Sequence, residues 1–319
     1  MKSLIRKLDE NISAMAQISV IHLFQLGLKY GIFRKLSEEQ AYNSFINSMS
    51  FGNKALLKNL IDTYIQLGII KKEGETISLN EFEYLLELSP ENAKYLLPGW
   101  VPIFEEIYKM VDYASITPEH PKILMDFDKD ADFWDMRLSL EFNSIYRKII
   151  AEAGKLQDEM RVLDLGCGSV SPLEIGQFLG PNGKYVGIDF SPGILSIAES
   201  RIKSAGFDWV ILKEMDIRKI MPKNRYDVVI MSFVLEYLDS INRVIKTVMD
   251  ILEENGKLII VEPFKENYPN IPAWEFFESL SKEFIGFPYK SSILSALESS
   301  NAEFKFSELG KSVLVIKKM

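Results

Sequence analysis

The residues best placed to do chemistry are two glycines and an acid that follow two apolar runs. The first run, residues 162–165, leads into Gly166 and Gly168, which would let the backbone of a turn approach a ligand closely. The second run ends at Asp189, 21 residues after Gly168, a spacing at which a carboxylate can accept both hydroxyls of a ribose. This pattern predicts an adenosine site.

The charge beside this turn indicates which nucleotide it would hold. A dinucleotide fingerprint has a third glycine three residues after the second, but that position is Ser171. Asp164 is expected inside the turn region, where an anion would repel a pyrophosphate and attract an ammonium or sulfonium group. A positively charged nucleotide ligand is therefore favoured.

These residues resemble two motifs of the class I S-adenosylmethionine-dependent methyltransferases. Residues 164–168 (Asp-Leu-Gly-Cys-Gly) are similar to the first motif and residues 186–192 (Val-Gly-Ile-Asp-Phe-Ser-Pro) to the second, although Val170 stands where many members have a third glycine. The resemblance covers roughly residues 150–319. It implies S-adenosylmethionine as cofactor and S-adenosylhomocysteine as product.

The resemblance also implies roles for single residues. Asp189 would bind the ribose, Asp216 would accept the adenine amino group, and Phe190 and Ile217 would flank the adenine ring. The fourth strand would end at Ser232, beside the transferred methyl group. The cofactor-binding residues that we expect are Asp164, Gly166, Cys167, Gly168, Asp189, Phe190, Asp216, Ile217 and Ser232.

Two carboxylates are the candidate catalytic groups. The plan of the chain resembles that of the two-domain small-molecule O-methyltransferases of the plant and antibiotic-tailoring type, which usually carry a histidine base where this chain has Glu236. Glu262 matches the carboxylate that supports that base. Two carboxylates close together in a dry pocket raise the pKa of one another, so Glu236 could act as the base. Alternatively, Glu236 only touches cofactor or solvent and transfer depends on alignment alone.

The pattern of elements that must position these residues predicts an α/β fold. Short apolar runs alternate with helical segments from residue 161, which predicts a doubly wound, Rossmann-like parallel sheet with an antiparallel hairpin at the C-terminus. Helices at residues 18–28 and from residue 53, followed by a small hairpin, predict a mainly helical, winged-helix-like domain. We expect a dimerisation domain at 1–95, a helical connector that covers the substrate at 96–150, and a cofactor-binding domain at 151–319.

The family resemblance implies a homodimer formed through the N-terminal domain and O-methylation of a small apolar or aromatic acceptor. Methylation of nitrogen, carbon or a protein, and a non-catalytic cofactor-binding regulator, are the alternatives. The net charge of −8 disfavours nucleic acid, and the first 100 residues balance 11 basic against 11 acidic side chains.

One cysteine and two histidines argue against disulfides and a metal site. We expect no apolar run long enough to cross a membrane, because Lys29 and Arg34 interrupt the N-terminal one. We therefore expect a cytoplasmic protein that binds neither membrane nor nucleic acid.

Overall fold

The computed structural model describes residues 1–85, 90, 93–94, 97–116, 118, 126–221, 224–300 and 302–319. The chain forms two compact units. The first comprises Met1–Asp9, Met125–Asn267 and Ile285–Met319, and the second comprises Glu10–Leu124 and Tyr268–Phe284. Each unit is discontinuous, because residues 268–284 return to the helices of the second unit. The three consecutive domains expected from the sequence stay a prediction.

The first unit is built on a seven-stranded sheet with the order β6-β5-β4-β7-β8-β10-β9. The first five strands in this order are parallel, and β10 runs antiparallel to both of its neighbours. The strands are β4 (Arg161–Leu165), β5 (Lys184–Asp189), β6 (Val210–Glu214), β7 (Tyr226–Ser232), β8 (Leu252–Val261), β9 (Phe304–Leu309) and β10 (Val313–Lys318). The predicted doubly wound sheet and its C-terminal hairpin are confirmed.

Helices accompany this sheet, because parallel strands that are buried on both faces must be covered on both. They are α6 (Ala131–Leu138), α7 (Glu141–Gly154), α8 (Ser171–Gly176), α9 (Pro192–Ala205), α10 (Ile241–Ile251) and α12 (Lys290–Glu298). Helix α9 follows β5 directly. Ser191 caps it by accepting the N–H of Ile194 at 3.2 Å, and Gly206 ends it in a left-handed conformation.

The second unit is mainly helical. Its helices are α1 (Lys2–Lys29, of which the first residues belong to the first unit), α2 (Ile32–Lys35), α3 (Tyr42–Ser48), α4 (Lys54–Gln66), α5 (Leu97–Ile116) and α11 (Ile271–Glu278). A small sheet has the order β1-β3-β2, with β1 (Gln40–Ala41), β2 (Ile70–Glu73) and β3 (Thr76–Leu79). The predicted helices and hairpin are present, and the winged-helix label stays a prediction.

Helix α1 is longer than the predicted segment 18–28. Leu8, Ile12 and Met15 are fully buried at a spacing that keeps them on one helical face, so the charged residues around them lie on the other. By length and composition this helix could cross a membrane, which corrects our expectation that no segment is long enough. Of its most apolar 18-residue window, 61% is buried inside the protein, as in the core helix of a folded domain.

Candidate active site

The glycine turn after β4 is held against the end of β5. The N–H groups of Gly166 and Cys167 both donate to the carbonyl oxygen of Ile188, at 2.8 and 3.0 Å. Gly166 has φ +74° and Gly168 has φ +61°, which favour glycine at both positions. A Cβ atom on Gly166 would lie only 2.5 Å from Cγ2 of Val234, so the turn also packs closely against the loop after β7.

Asp189 lies at the end of β5 and is joined to this turn. Its Oδ2 accepts the N–H of Gly168 at 3.0 Å, and its Oδ1 accepts the N–H of Ser191 at 3.0 Å. Burial raises the pKa of Asp189, while these two N–H groups act in the opposite direction. The structure thus brings together the two residues whose spacing predicted an adenosine site.

Asp164 is a fully buried acid inside β4. Its Oδ2 accepts the hydroxyl of Tyr185 at 2.6 Å. Burial raises the pKa of Asp164 to about 7, although the Tyr185 hydroxyl and the Arg147 guanidinium favour the anion. Its Oδ1 has no hydrogen-bond partner among the described residues. A buried acceptor of this kind fits the ammonium group expected of the cofactor.

Cys167 packs in the turn and is buried. Its Sγ lies 2.8 Å from the position that a Cβ on Gly187 would take. Burial, together with Asp189 and Asp164, raises the pKa of the thiol well above its ordinary value. The thiol is therefore neutral at physiological pH, and Cys167 can serve the site through its backbone and its shape.

The residues expected around adenine follow β5 and β6. The side chain of Phe190 is 44% exposed, and Ile217 is buried. Asp216 begins a 3₁₀ turn, accepts the N–H of Arg218 at 2.9 Å, and forms an ion pair with its guanidinium at 2.9 Å. These interactions lower the pKa of Asp216, with the Arg218 side chain as the largest cause. The carbonyl of Asp189 accepts the N–H of Met215 at 2.9 Å, which keeps this turn beside β5.

Glu236 and Glu262 form a buried pair. Glu262 follows β8, and its Oε1 accepts the N–H groups of Val234 and Leu235, each at 2.9 Å. The side chain of Glu236 also hydrogen-bonds to Glu262. Two carboxyl groups can share a hydrogen bond only if one of them carries a proton. Burial raises the pKa of Glu262 to about 7, against the effect of these three hydrogen bonds.

The backbone of Phe233 shapes the loop that serves this pair. Phe233 directly follows Ser232, which is buried at the end of β7, and has φ +50°, an unusual conformation for a bulky residue. Its ring packs against Phe142 and Tyr146 of α7, with centroids 5.8 and 5.1 Å away. Phe233 was not predictable from the sequence, because no local pattern indicates a residue held in a strained conformation by rings distant along the chain.

A group of aromatic side chains lies next to the predicted cofactor residues. Phe127 stacks on Trp134 at 4.3 Å between centroids, and its ring meets Phe190 and Tyr237 edge to face at 5.4 and 5.3 Å. The sequence analysis placed this segment in a substrate-covering connector. The structure places Phe127 against a residue expected to bind the cofactor.

A doubly wound sheet with a glycine turn after its first strand and an acid after its second defines a nucleotide-binding site at the carboxyl edge. Residues 156–296 match the methyltransferase-domain family. An uncharacterized protein of Methanocaldococcus jannaschii is 33% identical over 326 residues, covering 100% of this chain and 88% of that protein. The demethylmenaquinone methyltransferase of Anoxybacillus flavithermus is 26% identical over 141 residues, 43% of this chain and 60% of that enzyme.

Solved structures share the fold over the whole chain. The citrinin polyketide synthase CMeT domain has a TM-score of 0.72 at 13% identity and covers 100% of this chain and 94% of its own. The CurJ carbon methyltransferase has a TM-score of 0.65 at 13% identity, with coverages of 99% and 91%. An O-methyltransferase family 2 protein from Planctomyces limnophilus, in complex with apigenin, has a TM-score of 0.52 at 16% identity, with coverages of 99% and 94%.

The chain belongs to the class I S-adenosylmethionine-dependent methyltransferases. It is an enzyme with S-adenosylmethionine as its cofactor and S-adenosylhomocysteine as the product of that cofactor.

The raised pKa of Glu262 predicts that the protein loses stability as pH rises. The pKa is about 7 in the folded protein and 4.5 in the unfolded chain, so folding binds protons between these values. This contribution is full below pH 4.5 and is lost as pH rises through 7. Glu262→Gln keeps an acceptor for the two N–H groups but cannot ionise. From pH 5.5 to pH 8 we expect its stability relative to the wild type to rise by about 2 kcal/mol.

Urea denaturation at pH 5.5 and pH 8 measures this difference. Glu254→Gln is the matched control, because Glu254 is an exposed acid of the same unit. Asp164 titrates in the same range but is present in every variant, so it cancels from the comparison. Equal pH dependence of the wild type and Glu262→Gln would contradict the prediction.

Proposed function

We propose that this protein transfers the methyl group of S-adenosylmethionine to an oxygen atom of a small apolar or aromatic molecule, with Glu236 as the proton acceptor. The observation that carries the proposal is the buried pair of Glu236 and Glu262 beside the glycine turn. Val234 joins the two features, because its N–H binds Glu262 and its side chain packs against Gly166.

The cofactor would be held by the residues around the carboxyl edge of β4, β5 and β6. In this proposal Asp189 binds the ribose hydroxyls and Asp164 binds the ammonium group. The acceptor atom on Asp164 supports this assignment, as does the position of Asp189 at the end of β5. The adenine contacts would be Phe190, Asp216 and Ile217. Gly166 and Gly168, whose positive φ values set the shape of the turn, would present their backbone to the methionyl part.

When bound, the cofactor supplies a methyl group that is already activated by a positively charged sulfur. That methyl group would pass to the acceptor oxygen, and the electrons of the carbon–sulfur bond would remain on sulfur. The hydroxyl proton of the acceptor moves to the carboxylate of Glu236. Glu262 then accepts a hydrogen bond from the protonated Glu236, which stabilises the proton in a site shielded from water.

Alignment supplies the rest of the rate enhancement. Holding the acceptor oxygen and the methyl carbon in line can contribute roughly 7–11 kcal/mol, because the entropy of bringing them together is lost on binding and not in the transition state. If alignment were sufficient, Glu236 would be dispensable.

A carbon acceptor is the second candidate. The CurJ protein, whose fold covers nearly the whole chain, is named a carbon methyltransferase. A proton acceptor with a partner of pKa about 7 also suits a carbon acid made acidic by neighbouring carbonyl groups. Transfer from cofactor with a ¹³C-labelled methyl group, followed by NMR of the product, distinguishes a methyl bound to oxygen from one bound to carbon.

Calorimetric titration with S-adenosylhomocysteine tests the cofactor site. We expect a micromolar Kd for the wild type and at least a 100-fold weaker one for Asp189→Ala, because two ribose hydroxyls lose a charged acceptor. NAD is the control ligand and should not bind. Wild-type affinity in Asp189→Ala would place the ribose elsewhere.

A screen of phenols and enolisable ketones for release of S-adenosylhomocysteine supplies an acceptor for the second test. With that acceptor, Glu236→Gln should lower kcat by roughly 10²–10⁴-fold and leave the Kd for S-adenosylhomocysteine within about threefold. The wild-type rate should rise from pH 6 to pH 8, because Glu262 ionises near pH 7 and its anion can then accept a hydrogen bond from Glu236 once Glu236 has taken the proton. This rise should disappear in the variant. An unchanged kcat would show that alignment is sufficient.

We also propose that the second unit forms a homodimer. The ends of α1 and α5 lie side by side, since Lys29 and Tyr30 both bond to Asp112. Next to them the side chains of Leu28, Tyr113 and Ile116 are each at least 70% exposed, a concentration of apolar surface suited to an interface.

Sedimentation velocity should find a dimer for the wild type and a monomer for Leu28→Glu combined with Ile116→Glu, because two buried charges would destabilise the interface. Phe178→Glu, a substitution of an exposed apolar residue in the other unit, is the control and should remain dimeric. A wild-type monomer would refute this proposal.

A further inference from the structure

Asp135 joins helix α6 to two other parts of the first unit. Its Oδ1 accepts the Ser169 hydroxyl at 2.5 Å, and its two oxygens accept both terminal nitrogens of Arg201 at 2.5 and 2.9 Å. Arg201 lies on α9 and also donates to the carbonyl of Ser169 at 3.2 Å. The three side chains therefore form a closed network in which the Arg–carboxylate contact is bidentate.

This network is one residue away from the glycine turn. Ser169 follows Gly168, whose N–H holds Asp189. Helix α6 also touches the turn directly, because Cδ1 of Leu138 lies 3.0 Å from the position that a Cβ on Gly168 would take. Displacing α6 would therefore move the backbone that positions the ribose acid.

The segment before α6 crosses the carboxyl edge of the sheet. The carbonyl of Phe127 accepts the Ser191 hydroxyl at 3.3 Å, and its ring contacts both Phe190 and Tyr237. Phe190 follows β5 and Tyr237 follows β7, and β4 lies between these two strands. The ring of Phe127 thus joins the segments that follow the two neighbours of β4, and Trp134 of α6 stacks on it.

We propose that residues 126–138 form a lid over the cofactor, in which Phe127 packs on the bound adenosine and Asp135 latches α6 to the glycine turn. The inference rests on the cofactor site proposed above and adds to it two residues that lie before the segment matching the methyltransferase-domain family. Phe127 is assigned to cofactor binding, and Asp135 is a positioning residue that acts through Ser169 and Arg201.

The latch requires an ionised Asp135. Partial burial raises the pKa of Asp135, but hydrogen bonds from Arg201 and Ser169 outweigh this effect, so its pKa lies below the ordinary value. The Asp135 and Arg201 side chains are only 20% and 29% exposed, so the contact is largely shielded from water. The contact matters to the site because a bidentate hydrogen bond fixes both the orientation of α6 relative to α9 and the distance between the two helices.

Binding kinetics of S-adenosylhomocysteine test the lid, with the wild type, Phe127→Ala and Asp135→Asn compared by stopped-flow tryptophan fluorescence. Asp135→Asn keeps an acceptor for Ser169 and removes the charge that binds Arg201. A lid slows escape of the ligand, so we expect dissociation to be about tenfold faster in both variants and association to change less than about twofold. Asp135→Glu, which keeps the carboxylate, should recover part of the loss.

Glu308→Gln is the matched control, since it removes a comparable ion pair with Lys290 from the same unit, at 2.8 Å. It should release the ligand at the wild-type rate. Thermal unfolding of the ligand-free variants separates a lost latch from a lost fold, because the dissociation rates are compared at a temperature at which every variant is folded. Hydrogen exchange provides a second readout: the ligand should slow exchange in residues 126–138 of the wild type, and less so in Asp135→Asn.

Wild-type dissociation rates in folded Phe127→Ala and Asp135→Asn would overturn the lid, as would exchange in residues 126–138 that the ligand does not slow. Neither result would affect the cofactor site itself. The proposed cofactor site would be overturned by different results, namely if the wild type does not bind S-adenosylhomocysteine or if Asp189→Ala binds it with full affinity.

Discussion

Burial of carboxylates at the carboxyl edge of a parallel sheet is the constraint on which the site depends. Asp164, Asp189, Glu236 and Glu262 are all buried there, and an unpaired charge in such a position is strongly unfavourable. Backbone N–H groups of neighbouring loops donate hydrogen bonds to two of these carboxyl groups. Two N–H groups reach Asp189 and two reach Glu262, and these donors come from the turn after β4, the start of α9 and the loop after β7. The conformations of these loops are therefore tied to the buried acids to which their N–H groups donate.

Burial raises the pKa values of these acids, but the hydrogen bonds that oppose it differ from one acid to the next. Asp189 has a raised pKa but is held by two N–H groups, whereas Asp164 and Glu262 have pKa values of about 7. A cationic ligand beside Asp164 would stabilise the ionised form of its carboxyl group. A methyl acceptor that gives up a proton would protonate the pair of Glu236 and Glu262. Asp164 and Glu262, whose pKa values are about 7, therefore lie where a positively charged group and a proton are expected to bind.

Local patterns predicted much of the fold and part of the site. The apolar runs predicted the five parallel strands because strands covered on both faces need apolar side chains throughout, and the glycine turn and Asp189 were recognisable from their spacing. Features that depend on distant packing were not predictable. The strained backbone of Phe233 rests on rings of α7, Asp135 meets partners 34 and 66 residues away, and residues 268–284 join the second unit by contacts with α4 and not by sequence proximity.

Every residue proposed for cofactor binding or proton transfer lies in the first unit, and α1 after Asp9, α2 to α5 and α11 lie in the second. The chain returns from α11 at Ile285 and Gly286, whose N–H groups both donate to the carbonyl of Glu236, at 2.8 and 3.3 Å. Substitutions within the helical unit therefore leave the residues proposed for the transfer chemistry in place. The re-entry point at residues 285–286 is the exception, because an insertion or deletion there would shift the backbone of Glu236, and selection should keep its length fixed.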